Sequence, residues 1–234
     1  MIVHSPAVVL KRVPFGESSL VVRCFTQEKG KLGLLVKGAR RKKNPLVAYF
    51  QPANYLDLVF YYKPTRDLQT VSKVNFNRQW TQTHNDLKRI TYMLAVIELT
   101  DKTLAQEDTH TDLFQELVQV LTVMDAQWER LNLIFWYYEL SLLTLLGYKP
   151  DFKKRDFPGL MFPNPEQGPH SGEILETLLK GSLQEPEFLQ TLQSLRITPR
   201  DRKIVSDYIN THLQYHFEGL GELKSLKVLR EVLT

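Results

Sequence analysis

The pattern of apolar positions changes character once along this chain. Up to about residue 78 the apolar residues fall in short runs with strand character. Residues 2–13 are rich in Val and Ile, with Pro6 inside; residues 20–26 are apolar around Arg23. E-K-G-K at 28–31 reads as a hairpin turn into an apolar run at 32–36. Residues 55–62 alternate, with Leu56, Leu58 and Phe60 on one side and Asp57, Val59 and Tyr61 on the other. After a Lys63-Pro64-Thr65 turn, residues 68–74 supply a fifth strand. Five short strands in this length predict a small closed or half-closed barrel. An oligonucleotide-binding (OB) barrel is the leading candidate, and SH3-like barrels give a similar pattern.

From about residue 84 the period becomes helical. Residues 87–104 place Ile90, Met93, Leu94, Ile97 and Leu104 at helical spacing. Thr109-His110-Thr111-Asp112 resembles a capping box before a helix over 113–124. Residues 128–146 are apolar nearly all round, as in a central helix packed on several sides, and Gly147 sits where a C-terminal cap belongs. Five prolines punctuate 148–170 and predict a long irregular insert. Helical pattern resumes at 174–179. Thr198-Pro199-Arg200-Asp201 starts another helix, and residues 223–233 predict a last one. The fold class expected is multi-domain β + α: an N-terminal OB-fold barrel over 1–80 and an all-α helical domain over 81–234.

Charge sharpens this division. The formal net charge is +4, but residues 1–80 hold 14 Lys/Arg against 4 Asp/Glu, or +10, and the remainder holds 16 against 22, or −6. The basic excess concentrates in V-K-G-A-R-R-K-K at 36–43, with Lys29 and Lys31 just upstream. Each Lys or Arg that neutralises a phosphate releases a condensed counterion, so a strand opening into such a loop suits a nucleic-acid backbone. A solvated basic turn is the plainer reading. The lone Cys24 excludes an intrachain disulfide and fits a reducing cytoplasm. The N-terminus lacks a signal-peptide pattern, and the most apolar stretch, 131–148, is interrupted by Glu139, so a cytoplasmic protein without a membrane span is expected.

No catalytic constellation emerges. Phe15-Gly16-Glu17-Ser18-Ser19 lacks the second glycine of a nucleophile elbow, and 33–40 lacks phosphate-loop spacing. His212 and His216 share a helix face, but H-L-Q-Y-H lacks the glutamate of the zinc-protease motif. Cys24 reads as a small buried hydrophobe. The basic half also carries Phe15, Phe25, Tyr49, Phe50, Tyr55, Phe60, Tyr61 and Tyr62. Most of these fill a barrel core, yet Tyr61 and Tyr62 cannot both point inward on a regular strand. An exposed ring beside cations is what base stacking needs.

With these segments in view, the chain resembles the RecO family of bacterial recombination mediators. The resemblance runs through A-V-V-L-K-R-V-P-F-G-E-S-S-L-V-V at 7–22, Phe25-Thr26, K-G-K-L at 29–32 and V-K-G-A-R-R at 36–41. It continues in Gln51-Pro52, Leu56-Asp57-Leu58, L-L-T-L-L-G-Y-K-P at 142–150, Tyr208-Ile209, His212-Leu213 and L-K-S-L-K-V-L at 223–229. Order and spacing along the chain make the match specific. It implies an OB barrel packed on a helical domain and a protein that is not an enzyme. Such a protein binds single- and double-stranded DNA and anneals complementary strands. With RecR it helps RecA displace single-strand-binding protein (SSB), and it holds the C-terminal tail of SSB. It would work in the bacterial cytoplasm, associated with the nucleoid. One departure stands out: many members carry a four-cysteine zinc site in the insert, whereas 151–171 has no cysteine and only His170, so no metal or other cofactor is expected.

The residues expected at phosphates are Lys37, Arg40, Arg41, Lys42 and Lys43, joined by Lys11, Arg12, Lys29 and Lys31. An acidic, apolar-tipped tail needs an apolar pocket with a cationic rim, for which Arg130, Trp136, Tyr137 and Leu143 are candidates. The cationic position the resemblance implies near the start of Glu139–Leu146 is aromatic here, so the family's pocket does not transfer residue by residue. The alternatives are an RNA-binding OB protein of translation or RNA processing, and a metallohydrolase built on His212 and His216.

Overall fold

The computed structural model describes residues 1–42, 44–126, 129–152, 156–157 and 160–233. The elements, in order, begin with β1 (Ile2–Phe15), β2 (Ser19–Thr26), β3 (Gly30–Val36), α1 (Leu46–Tyr49), β4 (Tyr55–Tyr61) and β5 (Leu68–Arg78). Next come α2 (Leu87–Thr103), α3 (Thr111–Asp125) and α4 (Leu131–Leu145). The hairpin β6 (Asp156–Phe157) and β7 (Leu160–Met161) follows, then α5 (Ser171–Lys180), α6 (Pro186–Ser194), α7 (Pro199–His216) and α8 (Lys224–Leu233). They form two compact units, 1–125 with 223–234, and 126–222. The first unit therefore takes in α2, α3 and α8 as well as the barrel, which differs from a simple cut at residue 80.

The five strands close as β1-β2-β3-β5-β4, the OB order, with β3 and β5 parallel and the other neighbours antiparallel. Alternation places Val3, Ala7, Val9, Val22, Cys24, Leu32, Leu34, Leu56, Leu58 and Phe60 inside. The barrel closes where Gly33 meets Leu68, and a Cβ at Gly33 would lie 2.8 Å from a Leu68 methyl. A larger residue there would push the closing strands apart. Val8 lies on the outside of β1 by alternation, and a bulge between Val9 and Lys11 adds Leu10; both are buried.

Helices α2 and α3 cover that outer face. Phe114 of α3 packs edge-on against Phe25, with ring centroids 5.4 Å apart. Arg23 pairs with Asp101 of α2 at 2.7 Å. Asp125, at the end of α3, receives the backbone N–H groups of Thr81, Gln82 and Thr83 at 3.0–3.2 Å and the Thr83 hydroxyl at 2.7 Å. That carboxylate ties the segment leaving β5 to the helices. Glu98 of α2 caps α8, accepting from Lys224 N and Ser225 N at 3.0 Å each. These hydrogen bonds hold the Glu98 carboxyl below its usual range, against the opposing pull of desolvation, which is the largest influence.

In the second unit, eleven of the fifteen residues of α4 are buried, so it is the central helix that its all-round apolar pattern predicts. Helix α7 opens on a complete capping box: Asp201 N donates to Thr198 Oγ1, and Thr198 N donates to Asp201 Oδ2. Its inner face carries Val205, Tyr208, Ile209, His212 and Leu213. Rings of Phe152 and Phe162 pack on Tyr208. Helix α6, which the apolar spacing does not announce, buries only Phe188 and Leu192.

Candidate nucleic-acid interface

The segment 37–42 leaves β3 at one end of the barrel and turns at Gly38, whose φ of +67° favours glycine. Ala39 is fully buried and pins the turn to the barrel core. The neighbouring β1–β2 hairpin fixes the outer part: Arg40 N donates to Ser18 O at 2.8 Å, and Arg40 Nη1 to Gly16 O at 3.2 Å. Asn44 Nδ2 closes the turn on Gly38 O at 2.9 Å, and Asn44 Oδ1 accepts from Leu46 N at the start of α1. On this frame Lys37, Arg40, Arg41 and Lys42 are exposed. Lys43 lies outside the described residues. The hairpin adds an apolar element, since Phe15 is 51% exposed beside the cations.

The remaining expected phosphate contacts divide by burial. Lys11 is exposed on the outer face of β1, opposite Arg23. Arg12 is half-buried, and its Nη1 donates to Val47 O at 3.2 Å, so it holds α1. Lys29 sits at the other end of the barrel, its Nζ 5.2 Å from the centroid of the Tyr62 ring. Strand β3 separates it from the loop by about 20 Å, six steps of roughly 3.3 Å. Lys31 departs most from expectation. It is buried, and its Nζ donates to Asp101 O at 2.8 Å. Burial lowers its pKa, with Arg23 adding to the effect and Asp101 opposing it. It links β3 to α2 and is not presented to a phosphate.

Of the four residues expected around a peptide tail, three are buried and Arg130 is part-buried. Trp136, Tyr137 and Leu143 are buried on α4, the Tyr137 ring lying 5.4 Å from that of Phe188. Arg130 directs its guanidinium to the end of α6, donating to Leu192 O and Leu195 O at 2.7 Å and to Gln193 O at 2.9 Å. A cation there satisfies carbonyls that the helix leaves unpaired. Position 139 is a buried glutamate whose carboxyl burial raises well above its usual range.

His212 and His216 do share a face, with ring centroids 6.2 Å apart. His212 is buried against Phe162 and Tyr208. Burial, with a smaller contribution from His216, lowers its pKa to about 4. Among the described residues no group of three or more His, Cys, Asp or Glu is placed to hold a metal. Cys24 is fully buried, and desolvation pushes its thiol far up, away from the reactive thiolate. No helix among the described residues is long and apolar enough to cross a membrane.

A closed five-stranded barrel in OB order, with a cationic loop at one end and helices following in sequence, defines an OB-fold protein with a helical extension. Residues 1–80 match the family described as "Recombination protein O N terminal", and residues 84–227 match "Recombination protein O C terminal". The chain belongs to the RecO family. It is 30% identical to the DNA repair protein RecO of Salinibacter ruber over 99% of this chain and 94% of that protein. To the DNA repair protein RecO of Chlorobium limicola it is 32% identical over 68% of this chain and 61% of that protein. Against that of Alkaliphilus metalliredigens the identity is 31%, over 64% of this chain and 60% of that protein.

Proposed function

We propose that this protein is a recombination mediator of DNA repair that acts by binding rather than by bond chemistry. It binds single- and double-stranded DNA and anneals complementary strands. With RecR it helps load RecA onto single-stranded DNA coated with SSB, whose C-terminal tail docks on the helical part of the chain. The bacterial cytoplasm is its place of action. The observation that carries the reading is the loop at 37–42, where a hydrogen-bonded frame presents Lys37, Arg40, Arg41 and Lys42 together. Membership of the RecO family and the relatives named as DNA repair proteins support the same reading.

The physical role of the loop is to screen phosphate charge without reading sequence. Two strands attracted to one cationic end repel each other less, so complementary bases meet. The test is fluorescence anisotropy of labelled single-stranded DNA across a salt series. Replacing Lys37, Arg40, Arg41 and Lys42 with alanine is expected to weaken binding and to flatten the log–log salt slope by about 3, from four contacts at about 0.7 each. An unchanged slope would move the DNA path away from this loop. Tighter binding to RNA than to DNA of the same length would favour the RNA-binding alternative.

A further inference from the structure

The barrel carries a second exposed surface, at the end away from residues 37–42. Strand register builds it. Ile2 lies opposite Tyr61 and Tyr61 opposite Thr70; in the next outer row His4 lies opposite Val59 and Val59 opposite Lys73. Directly opposed residues share a face. Val3, Leu58 and Phe60, which alternate with them, point into the core, so both rows lie outside the barrel. Ile2 is 58% exposed and Tyr61 50%. Beside them opens a cleft of about 510 Å³ lined by Met1, Ile2, Tyr61, Tyr62, Lys63 and Arg66.

Charge selects the occupant. Lys63, Arg66 and Lys73 are exposed around the two rows, and Lys29 lies against Tyr62. Of the nearby acids, Asp57 accepts from Asn77 Nδ2 at 2.7 Å and Glu107 from the Tyr62 hydroxyl at 3.2 Å, while Asp67 is exposed. An apolar ring face with Lys63, Arg66 and Lys73 at its border fits a strand that offers both a base face and phosphates. The outer face of β2 is not open to such a strand, because Arg23 and Phe25 are engaged by α2 and α3.

We infer that Tyr61 and Ile2 form a stacking subsite for an unpaired base of single-stranded DNA, with Lys63, Arg66 and Lys73 serving the flanking phosphates. The inference rests on the DNA-binding reading above and adds to it. The cations of the loop meet phosphates that duplex and single strand share. In a duplex the base faces are already stacked on one another, so only an unpaired base reaches Tyr61. The barrel then distinguishes the state of the strand at one end and screens charge at the other.

The test uses the full chain and two labelled oligonucleotides of equal length, one ordinary and one made of abasic deoxyribose phosphates. The wild type is expected to prefer the base-bearing strand. Tyr61→Ala should lower that preference on the order of tenfold, and Tyr61→Phe, which keeps the ring, should retain it. The tyrosine stands outside the core, and circular dichroism verifies that each variant is folded. If Tyr61→Ala keeps the wild-type preference, the subsite is wrong and the face serves another partner. The loop reading survives that result, because the alanine variant of the loop tests it separately. If the wild type binds neither strand, the DNA-binding reading fails and this inference falls with it.

Discussion

In the turn at 37–42, four cations stand in water on a backbone stitched to a neighbouring hairpin. In α4, three residues of equally suggestive chemistry, Trp136, Tyr137 and Leu143, are buried inside their unit. Both segments are dense in side chains from which binding sites are made. The difference lies in what surrounds each. The turn holds Gly38 and a run of charges that no core accepts, so those charged side chains stay in solvent. Helix α4 is apolar on every side, so each of its faces is covered by neighbours. Dense charge is a signal of surface, whereas dense aromatic residues more often signal a core.

Substitutions break this comparison in graded steps. The largest effect is expected from Leu143→Ala, which empties core volume and should cost about 2–5 kcal/mol. Urea denaturation measures this, and the salt slope of DNA binding should stay as in the wild type. The loop variant should do the reverse, flattening the slope with a stability change within about 0.5 kcal/mol. If Leu143→Ala costs almost nothing, α4 has an open face after all.

The second effect is one of pH. His212 has a pKa of about 4 in the fold against 6.5 as the ordinary value. The unfolded chain then binds the proton more tightly. Stability from this group is complete above pH 6.5 and is lost as pH falls through 4, by roughly 3 kcal/mol in total. Urea midpoints from pH 7 to 4 should fall accordingly, and His212→Phe should remove much of that dependence. His216, also lowered by burial, contributes in the same direction.

Arg130→Ala comes next. It leaves three carbonyls at the end of α6 without their donor, and about 1–3 kcal/mol of stability should be lost. An SSB-tail peptide titrated against this variant under conditions where it stays folded should bind as it does to the wild type. Lost binding would return Arg130 to the peptide site. The smallest effect is expected from Lys31→Met. Stability should fall by no more than about 1 kcal/mol, because the loss of the donor to Asp101 O is offset by removing a buried cation and its cost of desolvation. DNA affinity and salt slope should not move, and a flatter slope would mean that Lys31 reaches a phosphate.

Much of the fold was legible in the residues. Alternation at Leu56, Leu58 and Phe60 marked the inner face of β4, and Thr198-Pro199-Arg200-Asp201 marked the first turn of α7. Helix α6 is not legible in the sequence because two buried residues, Phe188 and Leu192, are too few to define a period. In the interface, the loop cations were legible as a cluster. The partial burial of Arg12 and the burial of Lys31 were not, because both depend on elements distant in sequence: Val47 lies 35 residues beyond Arg12, and Asp101 lies 70 beyond Lys31.

By itself the sequence determined the local geometry and the charge: which residues alternate, where helices begin, and that the first 80 residues carry +10. Those properties depend on near neighbours and composition. Only the tertiary structure decided which cations keep their water, that α2 and α3 cover the outer face of β2, and that Ile2 and Tyr61 stand side by side. Accessibility is a property of surfaces brought together from remote parts of the chain, and a linear pattern carries no record of what will cover it.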